Sequence, residues 1–135
     1  MNNVKKIVLS VFFIAVLTGG IFGVKYLLSL QKYQKTIKEI SIGNVDLSKV
    51  KDGIYTGSFD AEFISAESSI TVKNHKITDI KLVKHKNEKG KSAEVIPERV
   101  VKAQTLQVDA VSGATNSSKV ILKSIENALK NEKIN

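Results

Sequence analysis

Ten consecutive residues, Asp109-Ala110-Val111-Ser112-Gly113-Ala114-Thr115-Asn116-Ser117-Ser118, combine one carboxylate, four hydroxyls, one carboxamide and one glycine directly ahead of a helical apolar pattern. Residues of these types at a helix start have a defined capacity for anions. The first amides of a helix point outward without partners, and the helix dipole favours negative charge there by roughly 0.3–1 kcal/mol. Gly113 lacks a Cβ, so backbone there approaches a bulky group closely, and Ser112, Thr115, Ser117 and Ser118 add donors. The plainer use of the same residues is an N-cap at Asn116, Ser117 or Ser118, with Gly113 in a tight turn before it. The stretch is not a Walker A loop, because the Gly-x-x-x-x-Gly-Lys spacing is missing, and it lacks the second and third glycines of a dinucleotide fingerprint. No nucleophile–base or acid–base pairing is evident in the sequence, so what the stretch offers is holding, not turnover.

Other chemistries are excluded by composition. The 135 residues contain no cysteine, which removes disulfides, thiolate metal sites, iron–sulfur clusters and thiol catalysis together. His75 and His85 are too few for a histidine metal cluster.

The elements that must present the stretch follow from periodicity. Asp52-Gly53 is a turn signal, and Ile54–Phe59 is β-rich, with Tyr55, Gly57 and Phe59 on one side. A glycine between two aromatics marks a close approach, a bulge or an edge. Strands over 63–73 and 76–85 alternate apolar and polar residues, and Asn74-His75 between them has hairpin length. Ile77 is out of phase with Ile80, which predicts a bulge or twist just after the turn. Pro97 opens a helix running to about Leu106. Ile121, Ile125, Ala128 and Leu129 define a last helix over about 117–131. The expected class is α+β: a small antiparallel sheet covered by two helices, with one N-terminal transmembrane helix ahead of it.

That N-terminal helix is read from Ile7–Val24, an uncharged run of 18 residues. At 1.5 Å per residue it spans about 27 Å, close to the roughly 30 Å of a hydrocarbon core. Tyr26 and Tyr33 suit the interface, no A-x-A cleavage site follows, and an uncleaved anchor is favoured over a signal peptide. Gly19 and Gly23 form a G-x-x-x-G pair. Residues 1–38 carry six lysines and no acid, whereas the rest of the chain is only +2 of the overall +8. The excess charge therefore belongs to the membrane-proximal end and points to lipid headgroups or wall polymer, not to nucleic acid. The lysines on both sides of the span leave its orientation ambiguous. The organisation is an anchor over 1–30, a basic juxtamembrane linker over 31–51 and a domain over 52–135.

Taken together, Asp52-Gly53-x-Tyr55-x-Gly57, the Thr71–Lys84 hairpin, Gln104 and above all Asp109-x-x-Ser112-Gly113-Ala114-Thr115 resemble the FMN-binding domain family. That family includes the flavin-carrying subunits of sodium-translocating NADH:quinone reductase and of the Rnf complex, and small membrane-anchored relatives. The resemblance covers the domain from Asp52 to about Lys130. The hairpin turn departs from it, with Asn-His where the family usually has a glycine. The resemblance implies FMN as cofactor, attached through its phosphate to the hydroxyl of Thr115 by a flavin transferase. It implies a cofactor site of Asp109, Ser112, Gly113, Ala114, Thr115, Asn116 and Ser117, with Gln104 and His85 against the ring or lining the site. It further implies a domain outside the cytoplasmic membrane, relaying electrons between membrane or extracellular partners and not itself catalysing a reaction. The alternatives are a noncovalent flavin carrier or small reductase, and a flavin-free surface module that uses the basic stalk.

Overall fold

The computed structural model describes residues 2–131 and contains two compact units that divide between Gln34 and Lys35. The first unit is the bulk of helix α1, Asn3–Glu39. Its best window has a mean hydropathy of 2.5 and none of it is buried, so Phe12, Phe13, Leu17 and Phe22 all stand outward. A helix that is apolar all round and unpacked is long and apolar enough to cross a membrane. Gly19 and Gly23 have nothing within 4 Å of where a Cβ would stand.

The second unit is the α+β domain. Strands β1 (Gly53–Asp60), β2 (Ser65–Lys73) and β3 (Lys76–Lys86) form one antiparallel sheet in the order β1-β2-β3. Helix α2 (Ile96–Ala103) packs against β3, and helix α3 (Thr115–Lys130) crosses β1 and β2. Ala66, Ser68, Ile70 and Val72 of β2 alternate inward and meet Ile121, Ile125, Ala128 and Leu129 of α3 to make the core.

The approach of α3 is unusually close, and small residues permit it. A Cβ at Gly57 would lie 2.2 Å from the Ala128 amide nitrogen and 2.4 Å from the Ser124 carbonyl, so only glycine fits. Gly57 on the edge strand is thus the seat of the helix. Beside it, Ser124 donates its hydroxyl to the Ile121 carbonyl at 2.7 Å, which leaves Ser68 to donate to Ser124 at 2.7 Å. Two buried hydroxyls are satisfied and the sheet is bonded to the helix.

The hairpin turn holds Asn74 and His75 at φ 51° and 59°, the two positive values a type I′ turn requires. Without glycine the turn is steadied from outside: Asp52 Oδ1 accepts the Asn74 amide at 2.8 Å, and the His75 ring lies 3.1 Å from the Val50 carbonyl. The expected irregularity follows, with a register shift between Thr71 and Val72 that leaves Thr78 unmatched. A second shift, between Glu67 and Ser68, leaves Val83 unmatched. Each bulge turns the strand by one residue, so Ile77, Ile80, Leu82 and His85 all face the helices.

The helices differ in their ends from the pattern-based reading. A 3₁₀ segment, Lys91–Val95, precedes α2, and Pro97 sits in the first turn as expected. Helix α2 stops at Ala103 because Gln104 takes a left-handed conformation at φ 54°. Helix α3 begins at Thr115, two residues before the expected start.

Residues 40–50 are packed on the domain. The buried Glu126 accepts the Gly43 amide at 3.1 Å, pairs with Lys123 at 2.7 Å and with Lys130, while Lys123 also donates to the Ser41 carbonyl at 3.0 Å. Gln107 donates to the Ile42 carbonyl at 3.1 Å. These contacts clasp the linker onto α3 and the segment after α2.

Candidate functional site

The motif loop is built to hold one shape. Val111 to Ala114 closes a turn through a 2.9 Å bond from the Ala114 amide to the Val111 carbonyl, and Gly113 at φ 79° supplies the positive angle of a type II turn. Ser118, one turn into α3, reaches back to it. Its hydroxyl accepts the Val111 amide at 3.0 Å and donates to the Ala114 carbonyl at 2.8 Å. Arg99 of α2 fixes the other end with a 3.0 Å bond to the Asp109 carbonyl. The exposed Asp109 carboxylate makes no bond to the loop among the described residues, so the backbone and not that side chain shapes the entry.

This arrangement corrects the capping expectation. The N-cap is Ala114, which has no side chain able to bond the first-turn amides, and Ser118 serves the loop before the helix instead. Thr115 is therefore the first residue of α3, exposed, with Ser112, Gly113 and Asn116 also at the surface. A Cβ at Gly113 would meet nothing within 4 Å, so the space over the loop is open. An uncapped helix start under an exposed hydroxyl leaves the amide dipoles facing outward.

Ser117 behaves differently. It is 1% exposed, and its hydroxyl has no hydrogen-bond partner among the described residues. The loop after β3 covers it, and a Cβ at Gly90 would stand 1.9 Å from its Oγ. His85 belongs to the same neighbourhood. The second bulge turns it inward until its side chain is 3% exposed. Its Nδ1 lies 3.1 Å from Glu94 Oε1 and 3.3 Å from Asn87 Nδ2, and its buried Nε2 has no partner among the described residues. Asn87 Oδ1 accepts the Gly90 amide at 3.2 Å, which ties that loop to the histidine.

Gln104 bonds to the scaffold. Its Oε1 accepts the Ile77 amide at 2.9 Å and its Nε2 donates to the Ile77 carbonyl at 2.8 Å and the Val101 carbonyl at 2.6 Å. One side-chain amide thus imitates a neighbouring strand at the free edge of β3 and closes the end of α2. The residues that sequence reasoning passed over are Arg99, the only arginine in the chain, and Asn87, Gly90 and Glu94, which lie in or just after a charged loop. Beside Asp109, an open groove of about 590 Å³ is lined by Arg99, Lys102, Ala103, Gln107, Val108 and Asp109.

FMN fits what these residues present. The open space over Gly113, the exposed Thr115 and the uncapped helix start together suit a phosphate. An α+β domain with such a loop, in a chain that also has a helix long and apolar enough to cross a membrane, defines a small cofactor-binding domain. Residues 64–130 match the FMN-binding domain family, and the chain belongs to it through this domain, with FMN as the cofactor. The chain is 34% identical over 101 residues, 73% of its length, to an NADH:acrylate oxidoreductase of Vibrio harveyi. It is 32% identical over 96 residues, 69% of its length, to an NADH:fumarate oxidoreductase of Klebsiella pneumoniae (strain 342). In both cases it spans about a tenth of the relative's length. The domain is a flavin-carrying component of oxidoreductase-related type.

Proposed function

We propose that this chain is a membrane-anchored electron carrier whose FMN is joined by a phosphoester to Thr115. The observation that carries the reading is Thr115 itself: an exposed hydroxyl at the first position of an uncapped helix, closing Asp109-x-x-Ser112-Gly113-Ala114-Thr115. Bound FMN supplies the electron chemistry, as cofactors generally do. The chain's residues do the holding. The first-turn amides of α3 face the phosphate, Gly113 keeps the loop in its turn, Ala114 leaves the helix start uncovered, and Ser112, Asn116 and Ser117 stand around it. Asp109, with its carboxylate at the surface, is the feature a flavin transferase reads.

The two relatives are named for reactions that draw electrons from NADH, which supports an electron-transfer role for this domain. This chain matches about a tenth of each of those long proteins, and its partners on this reading are membrane or extracellular electron-transfer proteins. The domain lies on the extracytoplasmic side, with α1 in the membrane. Denaturing electrophoresis with in-gel flavin fluorescence, after co-expression with a flavin transferase, tests the linkage. The native chain and Thr115→Ser give a fluorescent band, and Thr115→Ala gives none. An unlabelled native band, or an equally bright Thr115→Ala band, overturns the covalent reading, and flavin released intact by acid precipitation replaces it with noncovalent binding. Protease accessibility of the domain in intact cells tests its side.

A further inference from the structure

The charge of the domain is divided in space. Residues 73–91 hold seven lysines against two carboxylates, Asp79 and Glu88, whereas the rest of the segment 52–135 holds six cations against nine carboxylates. The near-neutral total therefore conceals a strongly basic strip. Lys73, Lys76, Lys81, Lys84 and Lys86 are exposed, and their partners across β2 and β3 are each other, Ser69, Glu67 and Ser65. Because Ile77, Ile80, Leu82 and His85 point toward the helices, these lysines share the sheet face that α3 leaves open. Lys89 and Lys91 continue the strip into the loop on either side of Gly90, which lies against Ser117, two residues from Thr115. Lys84 alone of the seven comes within 4 Å of a carboxylate among the described residues, Glu67 at 3.9 Å. Lys86 donates to the Glu62 carbonyl at 2.9 Å, which leaves its charge in place. The second bulge pushes Val83 out among them, 51% exposed.

We propose that this strip docks an acidic face of the protein with which the flavin exchanges electrons. Lysine on an edge strand discourages unwanted strand pairing, but that need ends with the strand, and here the charges run on past Lys86 to the cofactor loop. A predominantly positive field leading to a site steers an oppositely charged partner and raises its rate of encounter. The exposed Val83 within a charged surround has the pattern of a small interface, apolar at the centre and polar at the rim. Lipid is the lesser match, because Lys25, Lys32, Lys35 and Lys38, beside the apolar span, already form a separate group of cations for headgroups. The partner's redox role rests on the proposed electron-carrier function; the strip's preference for an acidic surface is measured without any flavin.

The test uses the full chain in a neutral detergent and fluorescent poly-L-glutamate as probe. Replacing Lys81, Lys84, Lys86, Lys89 and Lys91 with Gln lowers the probe's affinity about tenfold or more, the scale on which steering charges act. Replacing Lys32, Lys35, Lys38, Lys49 and Lys51 with Gln leaves it within about twofold, circular dichroism showing both variants folded. With its flavin first reduced by dithionite and the excess removed, the flavin-loaded strip variant passes electrons more slowly to ferricyanide, an anion, and faster to hexaammineruthenium(III), a cation. Equal loss of poly-L-glutamate binding in the two variants overturns the proposal. So does protection of the strip lysines from acetylation in phosphatidylglycerol nanodiscs relative to phosphatidylcholine nanodiscs, which makes the strip a lipid-facing surface. In-gel fluorescence reports flavin attachment separately, so loss of the cofactor and failure of the strip are told apart.

Discussion

Thr115 stands at the surface while Ser117 and Ser118, two and three residues on, are buried, and that division separates the work of the hydroxyls. Ser118 belongs to the loop's structure: Ser118→Ala leaves the Val111 amide without its acceptor in a partly buried place, at a cost of about 1–3 kcal/mol in urea unfolding. Labelling of the intact Thr115 by a flavin transferase falls with it, because the loop presented to that enzyme has lost its brace. The glycines are equally distinct. Gly57→Ala drives a methyl to 2.2 Å from backbone nitrogen, and overpacking of that kind costs about 1–3 kcal/mol or more, with the melting temperature as readout. Gly113→Ala meets no atom and is strained instead by its φ of 79°, about 1–2 kcal/mol for an L-residue in the left-handed region. A larger side chain therefore worsens position 57 steeply and position 113 hardly at all. The sequence marked Gly57 as a strand glycine and Gly113 as a turn glycine; the approach of α3 to β1 and the φ of Gly113 give each its reason.

At the scale of elements, β3 is the strand on which the rest depends. Its first bulge was readable from the phase of Ile77 against Ile80, and Val83 stood out as an apolar residue in a polar position. That a second bulge there delivers His85 to the interior was not readable, because a bulge's direction is set by the partner strand and not by local periodicity. Strand alternation, the stripe of α3 and the Asp109–Thr115 motif are local patterns and were legible. The pairs Gln104–Ile77, His85–Glu94 and Gly90–Ser117 join residues 9 to 27 apart, whose meeting depends on how the elements pack. Gln104 illustrates the consequence: a family-like glutamine beside a cofactor motif invites a ligand role, yet its amide completes an edge. Gln104→Leu leaves both backbone groups of Ile77 without that partner and lowers stability by about 1–3 kcal/mol, toward the lower figure where water reaches the edge. Hydrogen exchange at the Ile77 amide rises in the same variant while flavin labelling of Thr115 continues.

For the molecule as a whole, the buried carboxylate of Glu126 governs how the domain is joined to its stalk. Burial alone raises a carboxyl's pKa, but here the bonds from Lys123, Lys130 and the Gly43 amide outweigh it and hold the group below its ordinary value of 4.5. A depressed folded-state pKa contributes stability that is present above the unfolded value and lost as the pH falls through the folded one. Urea midpoints accordingly drop from below about pH 4.5, and Glu126→Gln, already deprived of its charge at neutral pH, shows a shallower acid loss. The stalk's attachment has a geometric side as well. Closed, the clasp folds residues 40–52 against the domain. Released from those bonds, the same thirteen residues span at most about 45 Å at 3.3–3.6 Å per residue, a length that the clasp keeps stored against α3.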